Sequence, residues 1–550
     1  MSLQPHADYP VPEETRRVAR AAFPKGTLGL QLAELLGPMY HDAEFADLFS
    51  ARGQPAAAPA RLAVATVLQF AEGLSDRQAA DAVRSRIDWK YALGLELTDA
   101  GFDHTVLSEF RARLVDHAAA TRLLDTLLER LRERGLLKAR GRQRTDSTHV
   151  LASVRTMTRL ERVGETLRAA LNALAAAAPD WVRGIAPPEW YERYGHRVER
   201  YRLPKSERAR AEWASVIAAD GERLLAAVAA APSDLAPVLA LPAVELLRRV
   251  WDEQYTTVDG RLVWREQDER ARAAEMTQSP YDPEARHSAK GDTTWVGYKV
   301  HFTETCDADL PRVIVHTETT PATTPDDNML DPVHEALAAR ALLPAEHLVD
   351  RGYTDAEMLE RTPRAYGVTV VGPVADDGSW QARTEGAFDQ TCFAVDWAGR
   401  VATCPAGKTS STLRRRMHPL QGERWEARFS RRDCTPCPLR ARCTRAPIES
   451  RILNLMPRAQ GEALLRARTA QTTEDFRTRY AARAGIESTH AQAVRRCGLR
   501  RCRYRGLAKT HLQHVLTATA INAVRVAAWL GGTTPAGTRY GAFAQLALVA

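Results

Sequence analysis

Between residues 294 and 374 the chain switches repeatedly between two periodicities, and the order of those switches restricts its fold more than any other feature. "TWVGYKVHFTET" and "PRVIVHTETT" are rich in β-branched and aromatic residues and are separated by the turn-forming "CDADL", which predicts an antiparallel hairpin. "NMLDPVHEALAARALL" has apolar residues at helical spacing, with Asp326 or Asp327 expected to cap it. "EHLVDRGYTD" predicts a short buried strand ending on Asp350, "DAEMLERTPRAYG" a helix, and "GVTVVGPV" a final strand. Upstream, "GLLKARGRQRTDSTHVLASV" predicts a strand with Asp146 near its middle. Downstream, "TTEDFRTRYAARAGIESTHAQAVRR" opens on a Thr-x-x-Asp start signal and predicts one helix bearing Glu487.

Three antiparallel strands followed by a helix and a parallel strand make the ribonuclease H-like (retroviral integrase-like) arrangement, an α/β fold on a mixed sheet. Taken singly, Asp146, Asp350 and Glu487 would each be read as a cap or a surface charge. Their order changes that reading. Acids on the first strand, just past the fourth strand and on a later helix of such a fold can converge. Phosphoryl transfer by metal ions needs several carboxylates from separate elements at one point.

The flanks divide the chain. Residues 1–29 form an extension, 30–138 a helical domain, and 139–550 the domain carrying the acids. Two insertions interrupt the last: a helical block at about 155–275 and a β- and loop-rich, cysteine-bearing block at about 374–470. In the helical domain, Ser75 and Gln78 predict a capping box, and Asp103 or Thr105 is expected to open a helix displaying Arg111 and Arg113. That pattern fits a helix–turn–helix that touches DNA and fits a plain helical bundle equally.

Charge is placed unevenly. The net charge is +8, yet nine Lys and Arg and no Asp or Glu follow Glu487, so residues 1–487 carry about −1. A basic run of this kind points to a polyanion, most simply nucleic acid, although a solvated helix face would look similar. Eight cysteines in 550 residues do not make a disulfide scaffold. Neither an apolar leader nor a membrane-length apolar run is present, which predicts a reduced, cytoplasmic protein without membrane contact.

Over roughly residues 30–530 the chain resembles the DDE transposases of bacterial insertion sequences, in the branch with a helical N-terminal transposase domain and a cysteine-bearing insertion. The resemblance rests on "LSDRQAADAVRSRIDWKYALG", "FDHTVLSEFRARL", "TDSTHV", "GYKVH" and "LVDRGY". It rests also on a Tyr-x2-Arg-x3-Glu-x6-Lys signature, matched by Tyr480, Arg483 and Glu487, with Val494 at the Lys position and Arg495 and Arg496 beside it. The resemblance implies that Asp146, Asp350 and Glu487 are the catalytic, metal-binding triad, with Mg2+ (or Mn2+) as cofactor. It implies double-stranded DNA as partner: Tyr480, Arg483, Arg495, Arg496, Arg500, Arg501, Arg503, Arg505 and Lys509 would hold transposon ends and target. It further implies strand cleavage and strand transfer at terminal inverted repeats by a homodimer or larger assembly, bound to the bacterial nucleoid. A nuclease of the same fold without strand transfer, or a catalytically silent DNA-binding descendant, are the alternatives.

Cys404, Cys434, Cys437 and Cys443 fall in one loop-rich segment around a C-x2-C pair and suggest a structural Zn2+, with Cys392 as a competing ligand and packed or oxidisable thiols as the other readings. His149 and His301 are read as polar neighbours of the acids or core residues, and Trp380, Trp397 and Trp425 as the core of the cysteine insertion.

Overall fold

β1 (Arg142–Leu151) is the strand around which the largest sheet is assembled. The structure, a computed structural model, describes residues 2–533 except 200, 202, 236, 238, 239, 267–274, 420 and 421. Along one edge, β1 pairs antiparallel with β5 (Thr293–Thr305); along the other, residues 142–145 pair parallel with β7 (Glu346–Val349). β8 (Thr369–Val371) continues parallel to β7, and β6 (Ile314–Pro321) runs antiparallel on the far edge of β5. The expected hairpin and strand directions are therefore present. β4 (Arg286–Lys290) was not anticipated. Its polar "RHSAK" lacks a strand signature, and it pairs with the first residues of β5 across a turn at Gly291.

The helical N-terminal region comprises α1 (Glu13–Ala22), α2 (Pro59–Glu72), α3 (Asp76–Ser85), α4 (Ile87–Leu93), α5 (His104–Asp116) and α6 (Arg122–Glu133). Pro59 opens α2, and Gly73 in the left-handed region (φ +71°) ends it. The Ser75–Gln78 capping box opens α3, and Asp103 caps α5 by accepting from the Thr105 N–H at 2.9 Å. Arg111 and Arg113, however, are not displayed. Arg111 is buried in an ion pair with Asp76 (2.6 Å) and lies against the Tyr504 ring. Arg113 reaches the Leu48 carbonyl and stacks on Phe49. Both guanidiniums fasten helices together.

The three longest described helices of the first insertion are α7 (Arg159–Ala177), α8 (Glu207–Ala229) and α9 (Pro242–Gln254). They enclose a core of their own that includes Val163, Leu167, Ile217, Leu247 and Trp251. The helical expectation there is incomplete, because β2 (Tyr255–Val258) and β3 (Arg261–Trp264) form a hairpin at its end. Tyr255 and Trp264 stack across that hairpin with ring centroids 5.0 Å apart.

α10 (Leu330–Ala339) and α11 (Ala356–Tyr366) connect β6, β7 and β8. Asp326 and Asp327 do not cap α10. They lie in a 3-10 turn before it, and Asp326 turns inward. The cysteine insertion holds a hairpin of β9 (Ala394–Asp396) and β10 (Val401–Thr403) and a small sheet of β11 (Arg414–His418), β12 (Gly422–Arg428) and β13 (Ile452–Leu455). Trp397 and Trp425 meet edge to face against its core, and Trp380 lies under Arg445.

α12 (Arg458–Ala470) and α13 (Glu474–Ala481) lead to α14 (Gly485–Cys497) and α15 (Leu507–Leu530). One apolar core runs without a break through α2, α5, α6, β5, β6 and α15. Within it Asn522 exchanges two hydrogen bonds of 2.8 Å with the backbone of Ile314, so the sheet edge is satisfied by a side chain where no strand lies. No described helix is long and apolar enough to cross a membrane.

Candidate active site

β1 extends past the end of β7, and the acids meet where that overlap stops. Thr145 is the last residue of β1 paired with β7, and Asp146 follows. Asp350 follows β7 directly and caps a 3-10 turn by accepting from the Gly352 N–H at 2.8 Å. The third element was expected to be one helix from Thr473 onward. Instead α13 and α14 are separated by a 3-10 turn, Ala482–Ala484, and Glu487 sits in the first turn of α14.

Arg483, on that turn, is the meeting point. Its Nη2 lies 2.8 Å from Asp146 Oδ2 and 3.7 Å from Asp350 Oδ2, and its Nη1 is 3.9 Å from Glu487 Oε1. Carboxylates from three elements thus gather around one guanidinium. Asp146 is largely buried beside it and Asp350 partly so, whereas the Glu487 side chain is exposed. Burial pushes the Asp146 carboxyl up to about 6, with Asp350 adding to the rise; Arg483 and the Ser147 N–H work against it. Among the described residues, no three His, Cys, Asp or Glu side chains close on a single metal position. The cation that the three acids share here is Arg483. Tyr480, one turn earlier, stacks on Phe476 at 5.4 Å and packs against Leu348 and Val371.

What fixes the turn lies underneath, and sequence reasoning missed it. Glu304 on β5 is fully buried and takes Arg144 Nε at 2.7 Å, Arg525 Nη1 at 2.8 Å and the Thr489 hydroxyl at 2.6 Å. Burial opposes its charge, but Arg525, Arg144 and Thr489 outweigh that and hold its carboxyl below the ordinary range. Arg144 then donates from Nη1 to the Ala482 carbonyl, within the turn that carries Arg483. Gly485 passes directly over the Arg144 guanidinium, where a Cβ would collide with it. Gly485→Ala is therefore expected to cost about 1–3 kcal/mol by overpacking and to displace Glu487. Denaturant unfolding measures the first effect. Unchanged stability would mean that the turn is not pinned from below.

On the opposite face of β1, Ser147 donates to Asp326 (3.1 Å), Lys299 pairs with Asp326 (2.9 Å), and His301 Nδ1 meets the Tyr353 hydroxyl at 2.7 Å. Burial holds His301 down at about 4, so it is a neutral polar core residue. His149 is also lowered, by burial and then by Arg500 and Lys290.

The basic run is not one uniform surface. Arg495, Arg496, Arg500, Arg501, Arg505 and Lys509 are exposed, and Arg503 is half-buried. Arg496 donates to the Ala71 carbonyl at 2.6 Å, and Arg503 donates to the Leu74 carbonyl at 2.9 Å over the Phe70 ring. These two fasten the run to α2. Arg505 also leans on Tyr281. Arg539, the last cation of the run, lies outside the described residues.

Cys404, Cys434, Cys437 and Cys443 line one small cavity of about 30 Å³. Burial raises the Cys443 thiol, with the other three cysteines adding to the rise. Cys392 is exposed and turns to Asp389, away from that cavity. Cys497 and Cys502 are buried.

A family profile described as a transposase DDE domain matches residues 403–527, and one described as a transposase domain matches residues 17–113. The chain carries the domains of a DDE-type transposase of the insertion-sequence kind. The first match takes in Arg483, Glu487 and the basic run; the second takes in α1 to most of α5. Asp146 and Asp350 lie outside both matches and join the site through the sheet. None of the curated proteins matches the chain.

Proposed function

We propose that this transposase binds the terminal inverted repeats of its element, cleaves a phosphodiester there and joins the freed 3′ end to target DNA, on a ribonuclease H-like fold. The observation that carries the reading is the meeting of Asp146, Asp350 and Glu487 at one guanidinium, although they come from separate elements. The strand order β6-β5-β1-β7-β8, with its antiparallel half and parallel half, supports the fold. The acids do not close on one metal position as they stand, but carboxylates from three elements are the donor set of a hard divalent cation, Mg2+ or Mn2+. When bound, such an ion supplies charge stabilisation at the scissile phosphate and an activated water. The chain's own residues position the site. Gly352 orients Asp350, Arg144 holds the Ala482 carbonyl, and Arg483 offsets the mutual repulsion of the acids.

Exposed Arg495, Arg500, Arg501, Arg505 and Lys509 would contact DNA phosphates, with affinity that falls as salt rises. Two transposon ends require two sites, hence a homodimer or larger assembly on DNA in the bacterial cytoplasm. The test is incubation of the purified protein with Mg2+ and a duplex copied from the ends of its element, followed by a plasmid-joining assay. Cleavage with joining supports transposition, cleavage alone a nuclease, and neither would overturn the reading.

The four thiols line one cavity without closing on a single metal position, and the zinc reading rests on their C-x2-C spacing and this shared cavity. Purified protein is expected to contain about one zinc per chain, and Cys437→Ser to remove it and loosen the insertion. A folded, zinc-free preparation would leave these residues as packed thiols.

A further inference from the structure

The edge of β1 is closed at two points and open between them. Thr145 pairs with Val349 of β7. Leu151 bridges to Arg501, its N–H donating to the Arg500 carbonyl and its own carbonyl accepting from the Cys502 N–H, both at 2.9 Å. Among the described residues, 146–150 have no strand partner on that side. Beside this gap lies a cavity of about 230 Å³ lined by Ser147, His149, Lys290, Trp295, Lys299 and Arg500. Among the described residues no acid is part of the lining. Lys299 is neutralised by Asp326, whereas Lys290 and Arg500 are exposed and, among the described residues, form no ion pair. His149 and Trp295 form one wall, their ring centroids 5.4 Å apart. Ser147 and His149 place the cavity on the face of β1 opposite Asp146, so a DNA strand would reach it from the acids across the open edge of residues 146–150.

We propose that this gap is a phosphate subsite for the DNA strand being cut: Lys290 and Arg500 hold a phosphodiester one or two linkages from the scissile bond, with its sugar or base against His149 and Trp295. The inference rests on the reading of the acids as a DNA-cleaving site. It explains why the basic run is stitched to the end of β1: those backbone hydrogen bonds carry Arg500 to the cavity. His149, kept neutral at pH 7 by burial and by the two cations, serves as a wall and not as a third charge. Because the lysine comes from β4 and the arginine from beyond α14, neither alone would mark the place.

The experiment compares wild-type full-length protein with the Lys290→Ala/Arg500→Ala variant on a duplex copied from the DNA bordering the reading frame. Single uncharged methylphosphonate linkages are stepped along each strand. In the wild type, one such linkage beside the cleavage position is expected to weaken binding about tenfold. In the double variant the salt slope falls by about one, for the one phosphate lost, and that linkage no longer matters. Lys290→Arg/Arg500→Lys restores both effects. An unchanged slope, or losses that simply add, would overturn the subsite. If the wild type cleaves and the double variant matches it in binding, slope and linkage sensitivity, the subsite alone fails. If the wild type binds with the expected linkage sensitivity but does not cleave, the catalytic reading fails and the subsite stands. If it does not bind the duplex, both fall.

Discussion

Asp146→Asn is expected to lower metal-dependent cleavage of the element's ends by at least about 10²-fold while making the free protein more stable. The amide keeps the shape of the side chain and removes the charge that would hold a divalent ion, and losing one preorganised electrostatic element costs about 10²–10³ in rate. The stability effect follows from the raised pKa. Burial lifts the Asp146 carboxyl to about 6 from an ordinary value of 3.8, so the folded chain binds this proton more tightly than the unfolded chain. The contribution is fully favourable below the ordinary value and is lost as pH rises through about 6. Above that window the buried charge is a net cost of roughly 2–3 kcal/mol, which the amide relieves. Denaturant unfolding at pH 7 and pH 4 should therefore separate wild type from variant at the higher pH and bring them together at the lower. Glu487→Gln, at an exposed position, should lose cleavage without this gain. Combining the two substitutions should be little worse than either, since the acids act as a unit. Cleavage by Asp146→Asn at near the wild-type rate would sink the triad.

The places where the sequence was readable share a cause. Asp146, Asp350 and Glu487 could be placed because each lies at a definite point of an element whose period is written locally, and strand order then brings them together. Asp326 was misplaced because an Asp before a helix reads as a cap, and only the fold turns it toward Lys299 and Ser147. "YAARAG" reads as continuous helix because Ala and Arg favour it. The 3-10 turn there accompanies a contact between Ala482 and Arg144, far apart in the chain, which no local pattern encodes. Arg111 and Arg503 were expected at the surface for the same reason. A guanidinium that fastens two helices and one that waits for a phosphate are the same letter, and burial alone distinguishes them.

Glu304 carries the other large effect. Within "GYKVHFTETC" it is one polar residue in an alternating strand, yet it is the fully buried anion between Arg144 and Arg525. Glu304→Gln would leave two guanidiniums, one of them only 2% exposed, without their counter-charge. Breaking a buried pair from one side costs about 3–5 kcal/mol, so the variant should unfold at clearly lower denaturant. Cleavage should fall as well, because Arg144 no longer has a fixed position from which to hold the Ala482 carbonyl and, through it, the turn carrying Arg483. A second variant separates the two consequences. Glu304→Leu combined with Arg144→Met and Arg525→Met removes the buried anion together with both its guanidiniums, and replacing all three by apolar groups restores much of the stability. It does not restore the hydrogen bond to Ala482, so cleavage should remain low although the fold has recovered. If cleavage recovers along with stability, Arg144 is only packing, and the turn is held by α13 and α14 themselves. If Glu304→Gln unfolds at the wild-type midpoint, the buried network does not anchor the site at all.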